Sequence, residues 1–235
     1  MGVSLNPLHF LAHTRGPLGR TLTLGHQDNN LPRDQALIQK IFQEAGRDVD
    51  ADRLLHEKYA DAILLALGAT EVVSMDASGY ENADIIHDLN KPIPAELEGA
   101  FDTVIDGGTL EHVFHLPNAL TNVARMVKVG GRFLGISPAN NWLGHGLYQF
   151  SPELMWRFCK GFGFSVNRID LYVRGSYPKA NPIPDPEEAG QRITINTPPQ
   201  YVDLMTDAIK RENLYPEYLY QSDYVAHWSA KGQGG

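Results

Sequence analysis

Three successive apolar segments, each running into an acid, constrain this chain more than any other feature. They are EVVSMDAS (71–78), ADIIHDLN (83–90) and FDTVIDGG (101–108), which end near Asp76, Asp88 and Asp106. Short runs rich in valine and isoleucine and bounded by turn-formers read as strands, and TLTLG (21–25) reads as an earlier one. Around them the apolar period becomes helical. RDQALIQKIFQEAG (33–46) sets Leu37, Ile38, Ile41 and Phe42 on one stripe, and ADRLLHEKYADAILLALGA (51–69) repeats the pattern with Leu54, Leu55, Ile63 and Leu65. PNALTNVARMVKVGG (117–131) has Pro117 near its start and glycines at its end. SPELMWRFCKGFGF (151–164) has Ser151 as N-cap and Pro152 at its first position. RFLGISP (132–138) and SVNRIDLYVRG (165–175) are further strands.

Strands alternating with helices demand right-handed crossovers and a parallel sheet covered on both faces. The expected fold class is α/β: a Rossmann-like, mainly parallel seven-stranded sheet sandwiched by helices. The stretch 176–220, with YPKANPIPDPEE, reads as a Pro-rich insertion or lid carrying one helix at about 199–213, and QSDYVAHWSAKG (221–232) reads as the last strand. The chain is then a single domain, 1–235, with its core at about 20–175 and 221–232.

Composition narrows the functional classes. A hydrophobic share of 43% with 20% charged residues is that of a globular chain. The net charge of −8 argues against a footprint on duplex nucleic acid. There is no apolar run of membrane-spanning length, and MGVSLNPLHFLAHTRG does not read as a secretory signal. The one cysteine, Cys159, precludes an internal disulfide and fits a reducing, cytoplasmic setting. A homodimer is the default expectation for a chain of this size.

In parallel sheets, ligands bind beyond the carboxyl ends of the strands, at the switch in strand order. Gly25, Asp76, Asp88 and Asp106 all fall at that edge. VVSMDAS, DIIHDLN and FDTVIDGGTLEHVFHLPNALTNVARMVKVGGRFLGISP, in that order, resemble the class I S-adenosylmethionine-dependent methyltransferase superfamily over about residues 20–175. The resemblance implies S-adenosylmethionine as cofactor. Asp76, with Ala77 beside it, is expected on the ribose diol, since one carboxylate accepts from two hydroxyls. Asp88 and the Leu89 amide are expected at adenine. Gly25, His26, Gln27, Asp106 and Gly107 are expected at the methionine end, although the first loop has one glycine where the family has a run of them. Turn capping is the competing role for the acids.

A hydroxyl acceptor needs a base or a metal to remove its proton. Glu111 and His112 in LEHV, and His145 between glycines in NNWLGHGLYQFSPE, are the candidate catalytic residues. The same three residues are candidate ligands for a divalent metal. Two imidazoles and one carboxylate suit manganese, iron or zinc better than magnesium. Trp142, Tyr148 and Phe150 either stack on a sugar or ring substrate or anchor the loop. The expected activity is O-methylation of a small acceptor, a sugar or oligosaccharide; GHGLYQFSPEL resembles methyltransferases of polysaccharide and natural-product metabolism, with the methylmannose type as the specific guess. The alternatives are an N- or C-methyltransferase of a small metabolite and an inactive S-adenosylmethionine-binding protein.

Overall fold

A computed structural model describes residues 2–175 and 177–230. Its centre is an eight-stranded sheet of β2 (Gly19–Leu24), β4 (Ala69–Asp76), β5 (Ile85–Ile86), β6 (Phe101–Asp106), β7 (Val127–Asn140), β8 (Phe164–Val173), β9 (Asn181–Pro182) and β10 (Val202–Lys210). The spatial order is β5-β4-β2-β6-β7-β10-β8-β9. From β5 to β7 every pairing is parallel, while β10 runs antiparallel between β7 and β8. The chain builds outward from β2 through β4 to β5, then returns to the other side of β2 with β6. The order therefore reverses between β2 and β6, and a ligand crevice opens above their carboxyl ends. A small parallel pair, β1 (Gly2–Val3) with β3 (Asp28–Asn29), lies beside the loop after β2.

Alternate residues of the buried strands feed two cores. Leu22, Val104 and Phe133 face α5 (Leu116–Met126) and α6 (Pro152–Gly161), where they meet Leu120, Val123 and Phe158. Ile105, Leu134 and Met205 face the other layer, made of α1 (Leu5–Ala12), α2 (Gln35–Glu44), α3 (Ala51–Leu55) and α4 (Asp61–Ala66), and meet Phe10, Ile41 and Ile63. The α/β sandwich is thus as expected, with Cys159 buried as a small apolar group. No helix of the described residues is long and apolar enough to cross a membrane.

Several element assignments differ from the sequence reading. Residues 199–213, read as a helix inside an insertion at 176–220, contain β10, a central strand. Val202, Met205 and Ile209 recur at a near-helical spacing, but nearly the whole strand is buried on both faces, so it shows no alternation to distinguish it. Residues 221–232, read as the last strand, hold the helix α7 (Ser222–Ala230), with 231–232 outside the described residues. Its start is fixed at long range, since Ser222 donates from its amide and hydroxyl to Glu153 Oε1 at 2.6 and 2.7 Å. The core therefore includes 202–210, and the Pro-rich segment is shorter than expected.

The helix expected over 51–69 is broken between α3 and α4. The Asn29 amide donates to Lys58 O at 2.9 Å, and the Ala60 amide donates to Gln27 O at 2.9 Å. Residues 58–60 leave the helix to brace the loop after β2. The strand expected over 83–90 shortens to two residues because side chains replace the ladder: Asp84 Oδ2 accepts from the Ser74 amide and hydroxyl, each at 2.8 Å.

The helical layer carries one acid-sensitive contact. His9 Nδ1 lies 3.1 Å from the Tyr172 hydroxyl, and its ring stacks on His13 at 4.2 Å. Burial, then His13 and Arg168, push its pKa down to about 4, with Glu44 opposing. The unfolded chain takes up this proton near the ordinary value of 6.5, before the folded chain does. The stabilisation is complete above that pH and is lost as the pH falls towards about 4. Screened by its partial exposure, it is worth on the order of 1 kcal/mol. His9→Gln is expected to flatten this part of the urea-unfolding stability profile; an unchanged acid slope would discount the contact.

Candidate functional site

A cavity of about 300 Å³ sits over the carboxyl ends of β2, β4 and β6, lined by Gly25, His26, Gln27, Asp76, Ala77, Asp88, Leu89 and His112 among others. Those eight are sequence candidates, drawn from four separate segments to one place by the strand order. The volume is at the lower end for a small-molecule site.

The loop after β2 reaches this cavity without a glycine run. Gly25, at φ +73°, makes the turn off the strand. The Gln27 side chain is buried, and its Nε2 donates to Leu24 O at 2.6 Å and to Gly25 O at 3.4 Å. Its Oε1 is buried without a partner among the described residues. A Cβ at Gly107 would overlap the Gln27 amide, so that glycine is what lets the glutamine fold under the loop. His26 is clamped: Nδ1 lies 2.8 Å from Glu81 O, Nε2 lies 3.1 Å from Asp61 Oδ2, and Tyr59 stacks on the ring at 3.6 Å. Burial alone would lower the His26 pKa, but the hydrogen bonds to Asp61 and Glu81 O raise it above the ordinary value. Gln27→Ala should therefore weaken ligand binding and also cost about 1–2 kcal/mol of stability through the two orphaned carbonyls. Calorimetric binding read alongside urea unfolding checks this; loss of neither leaves the loop an ordinary turn.

Asp76 is half-buried, and its Oδ1 accepts from the Ser78 amide at 2.9 Å. Its Oδ2 faces Gly25 across the cavity mouth. Asp88 Oδ1 accepts from the Asn90 side chain at 2.8 Å and its amide at 3.0 Å, which hold the carboxyl below its ordinary pKa. Asp88 thus caps a turn and lines the cavity at once. The Leu89 carbonyl takes the Asn118 and Asn122 side chains, fixing that segment against α5.

Two candidates stand elsewhere. Asp106 is fully buried beneath the site, where Oδ1 accepts from the amides of Thr109 and Leu110 at 2.8 and 3.2 Å. It shapes the turn after β6 instead of lining the cavity, and Gly108, not Gly107, reaches the lining. His112 lies on a 3₁₀ turn, Leu110–His112, ahead of α5.

Glu111, His112 and His145 converge. One ligand atom from each lies within 4.8 Å of the others, and they form the one such group of three among the described residues. His145 Nε2 is 3.3 Å and His112 Nε2 is 3.7 Å from Glu111 Oε1. The loop carrying His145 is tied down from below, since the Leu147 and Tyr148 amides donate to Glu111 O at 2.7 and 3.2 Å. Burial first, and the Asp106 carboxylate second, push Glu111 well up. Burial and the facing imidazole lower His112; burial and Arg174 are among the causes lowering His145. Both imidazoles are thus favoured in the neutral form that accepts a proton or binds a metal.

The nearby aromatics act as anchors. Phe150 is buried in the core, Tyr148 donates its hydroxyl to Phe114 O at 2.8 Å, and Trp142 Nε1 donates to Val202 O at 3.1 Å beneath Arg174. Phe114, Leu143 and Leu147, neighbours in sequence of the cluster residues, are exposed apolar groups.

The lining also includes Glu81, His87, Asn90, Thr109 and Val113, which the sequence reading did not single out. His87 and Asn90 flank Asp88 and were findable by adjacency. Glu81 carries no local signal, because it reaches the cavity only through the His26 clamp.

No protein-family model and no curated protein sequence matches the chain. Solved structures do resemble it. A methyltransferase candidate from Bacillus halodurans C-125 is 10% identical, with 90% of this chain and 100% of that one covered and a TM-score of 0.50. A chain from the complex between the Haloferax volcanii Trm112 methyltransferase activator and its methyltransferase candidate is 14% identical, covering 88% and 89%, also at 0.50. The 1,6-didemethyltoxoflavin-N1-methyltransferase of Burkholderia thailandensis, solved with S-adenosylhomocysteine, is 15% identical, covering 88% and 78%, at 0.48. At these identities the likeness is one of fold: the chain shares the α/β fold of the two methyltransferase candidates at a TM-score of 0.50.

Proposed function

We propose that this chain is an S-adenosylmethionine-dependent methyltransferase acting on a hydroxyl of a small acceptor. One observation carries the reading: His112 belongs both to the cavity wall and to the Glu111–His112–His145 cluster, so the cofactor cavity and a proton-accepting group share a boundary. The cavity residues suit the cofactor. Asp76 Oδ2 offers an acceptor for a diol, Asp88 one for an amine, and the orphaned Gln27 Oε1 one for an ammonium group.

S-adenosylmethionine supplies an electrophilic methyl carbon whose bond pair stays on sulfur when it departs. The chain's part is chiefly positioning. The loop after β2, clamped through His26 and Gln27, fixes the methionine end, while Asp76 and Asp88 fix the nucleoside. The cluster, open to solvent on the His112 side, holds the acceptor oxygen and accepts its proton. Phe114 and Leu147 offer an apolar surface beside it, which suits one face of a sugar ring or a similar flat acceptor.

The test is S-adenosylhomocysteine calorimetry followed by a labelled methyl-transfer screen of sugars, phenols and amines. Label on hydroxyl acceptors is the expected result. Label confined to nitrogen or carbon would remove the hydroxyl assignment, and absence of S-adenosylhomocysteine binding would remove the whole reading.

A further inference from the structure

The geometry points to a divalent transition-metal site formed by Glu111, His112 and His145 at the edge of the cofactor cavity. Its place in methyl transfer rests on the function proposed above; the binding of the ion does not.

Three features carry the inference. The first is spacing. Zinc–nitrogen and zinc–oxygen bonds of about 2.0–2.2 Å put neighbouring tetrahedral ligands roughly 3.3–3.5 Å apart. The Glu111 Oε1 separations of 3.3 Å to His145 Nε2 and 3.7 Å to His112 Nε2 are close to that before any ion draws them in. The second is an unanswered group. The Glu111 side chain is 0% exposed, and its Oε2 has no hydrogen-bond partner among the described residues. A carboxylate in that position, with the Asp106 carboxylate near, calls for a cation. The third is preorganisation. Gly146, at φ +71°, has Glu111 Cγ 2.8 Å from where a Cβ would stand, and the two amides that follow it bond to Glu111 O. His145 is therefore delivered to Glu111 by backbone and not by a mobile side chain.

The donor set selects the ion. Two imidazoles and one carboxylate, with the rest of the shell open, suit Zn²⁺, Fe²⁺ or Mn²⁺, whereas Mg²⁺ prefers an all-oxygen shell. The opening lies towards the acceptor side, where the His112 side chain is 49% and the His145 side chain 29% exposed. With an ion bound, the Nε2 atoms of both histidines would be engaged, so the acceptor hydroxyl would lose its proton to solvent, the ion replacing the direct proton acceptance that the metal-free cluster offers. The acceptor's oxygen pair then forms the bond to the methyl carbon, as the pair of the sulfur–carbon bond stays on sulfur.

The experiment is calorimetric titration of chelator-stripped full-length protein with Zn²⁺ and, separately, Mn²⁺, with circular dichroism as the folding control. One ion per chain is expected, with affinity reduced by at least about tenfold in Glu111→Gln and in His112→Ala. Glu111→Gln keeps the shape of the buried side chain, and His112 is half-exposed, so both variants should fold. S-adenosylhomocysteine is titrated into the same samples. Absence of stoichiometric ion binding, or equal binding by wild type and both folded variants, overturns the site whatever the cofactor does. Ion binding without S-adenosylhomocysteine binding upholds the site and removes the methyltransferase reading instead.

Discussion

Asp76→Ala is expected to lower affinity for S-adenosylhomocysteine by about 10–100-fold, with a melting temperature within a few degrees of wild type. Asp76 ends β4 at the cavity, half-buried, with one oxygen engaged by the Ser78 amide and the other turned to the cavity mouth. Hydrogen bonds to a charged group are worth about 1.5–3 kcal/mol each. Losing one such bond, from the free oxygen to a ribose hydroxyl, gives the stated range. The fold barely depends on this carboxylate, because the Ser78 amide it holds lies at the exposed surface. Asp88→Ala supplies the contrast. Its Oδ1 is already occupied by two Asn90 groups, so the expected loss of affinity is smaller and accompanied by loosening of the turn. Calorimetry on both variants checks the ranking. Equal affinity of Asp76→Ala and wild type would place the nucleoside elsewhere.

The parallel half of the fold was legible because its strands end in a recurring chemical feature. Asp76, Asp88 and Asp106 mark three successive carboxyl ends, and the amphipathic helices before the first of them and after the last, α2 and α5, carry a clear stripe. The antiparallel end was not legible. β10 is covered on both faces, so its apolar residues carry no period of two, and Val202, Met205 and Ile209 mimic a helix. In α7, the aromatic and β-branched residues Tyr224, Val225 and Trp228 favour a strand locally. What makes that segment helical begins with Glu153, 69 residues away, holding Ser222. Long-range contacts of that kind leave no trace in a window of neighbouring residues.

The site shows the same division. The acids and histidines were readable as residue types at a sheet edge, but their division of labour was not. Asp106 looks equivalent to Asp76 in sequence, yet it is fully buried and bonded to two amides. Its position on the strand between β2 and β7 puts it below the crevice floor. The single-glycine loop was a weak signal for a related reason. Glycines elsewhere substitute for those missing after β2: Gly107, on a different strand end, gives Gln27 the space to fold beneath the loop and hold two carbonyls.

His145→Ala is expected to cut turnover by about 10²–10⁴-fold, the usual reach of a lost proton-transfer group, with S-adenosylhomocysteine affinity within about threefold of wild type. The separation follows from placement. His145 is not part of the cavity lining; it meets the cavity only through Glu111 and His112. The effect should fall on kcat more than on KM if, as proposed, the cluster acts on the acceptor oxygen as its proton leaves. Gly146→Val tests the same arrangement without touching a reactive group. Its side chain would meet Glu111 Cγ and strain a backbone held at φ +71°, driving the loop away and withdrawing His145. Both variants should therefore lose turnover while keeping the cofactor, and Gly146→Val should lose stability as well. Unchanged turnover in His145→Ala would take the acceptor chemistry away from this loop and leave the histidine a packing residue between Trp142 and Glu111.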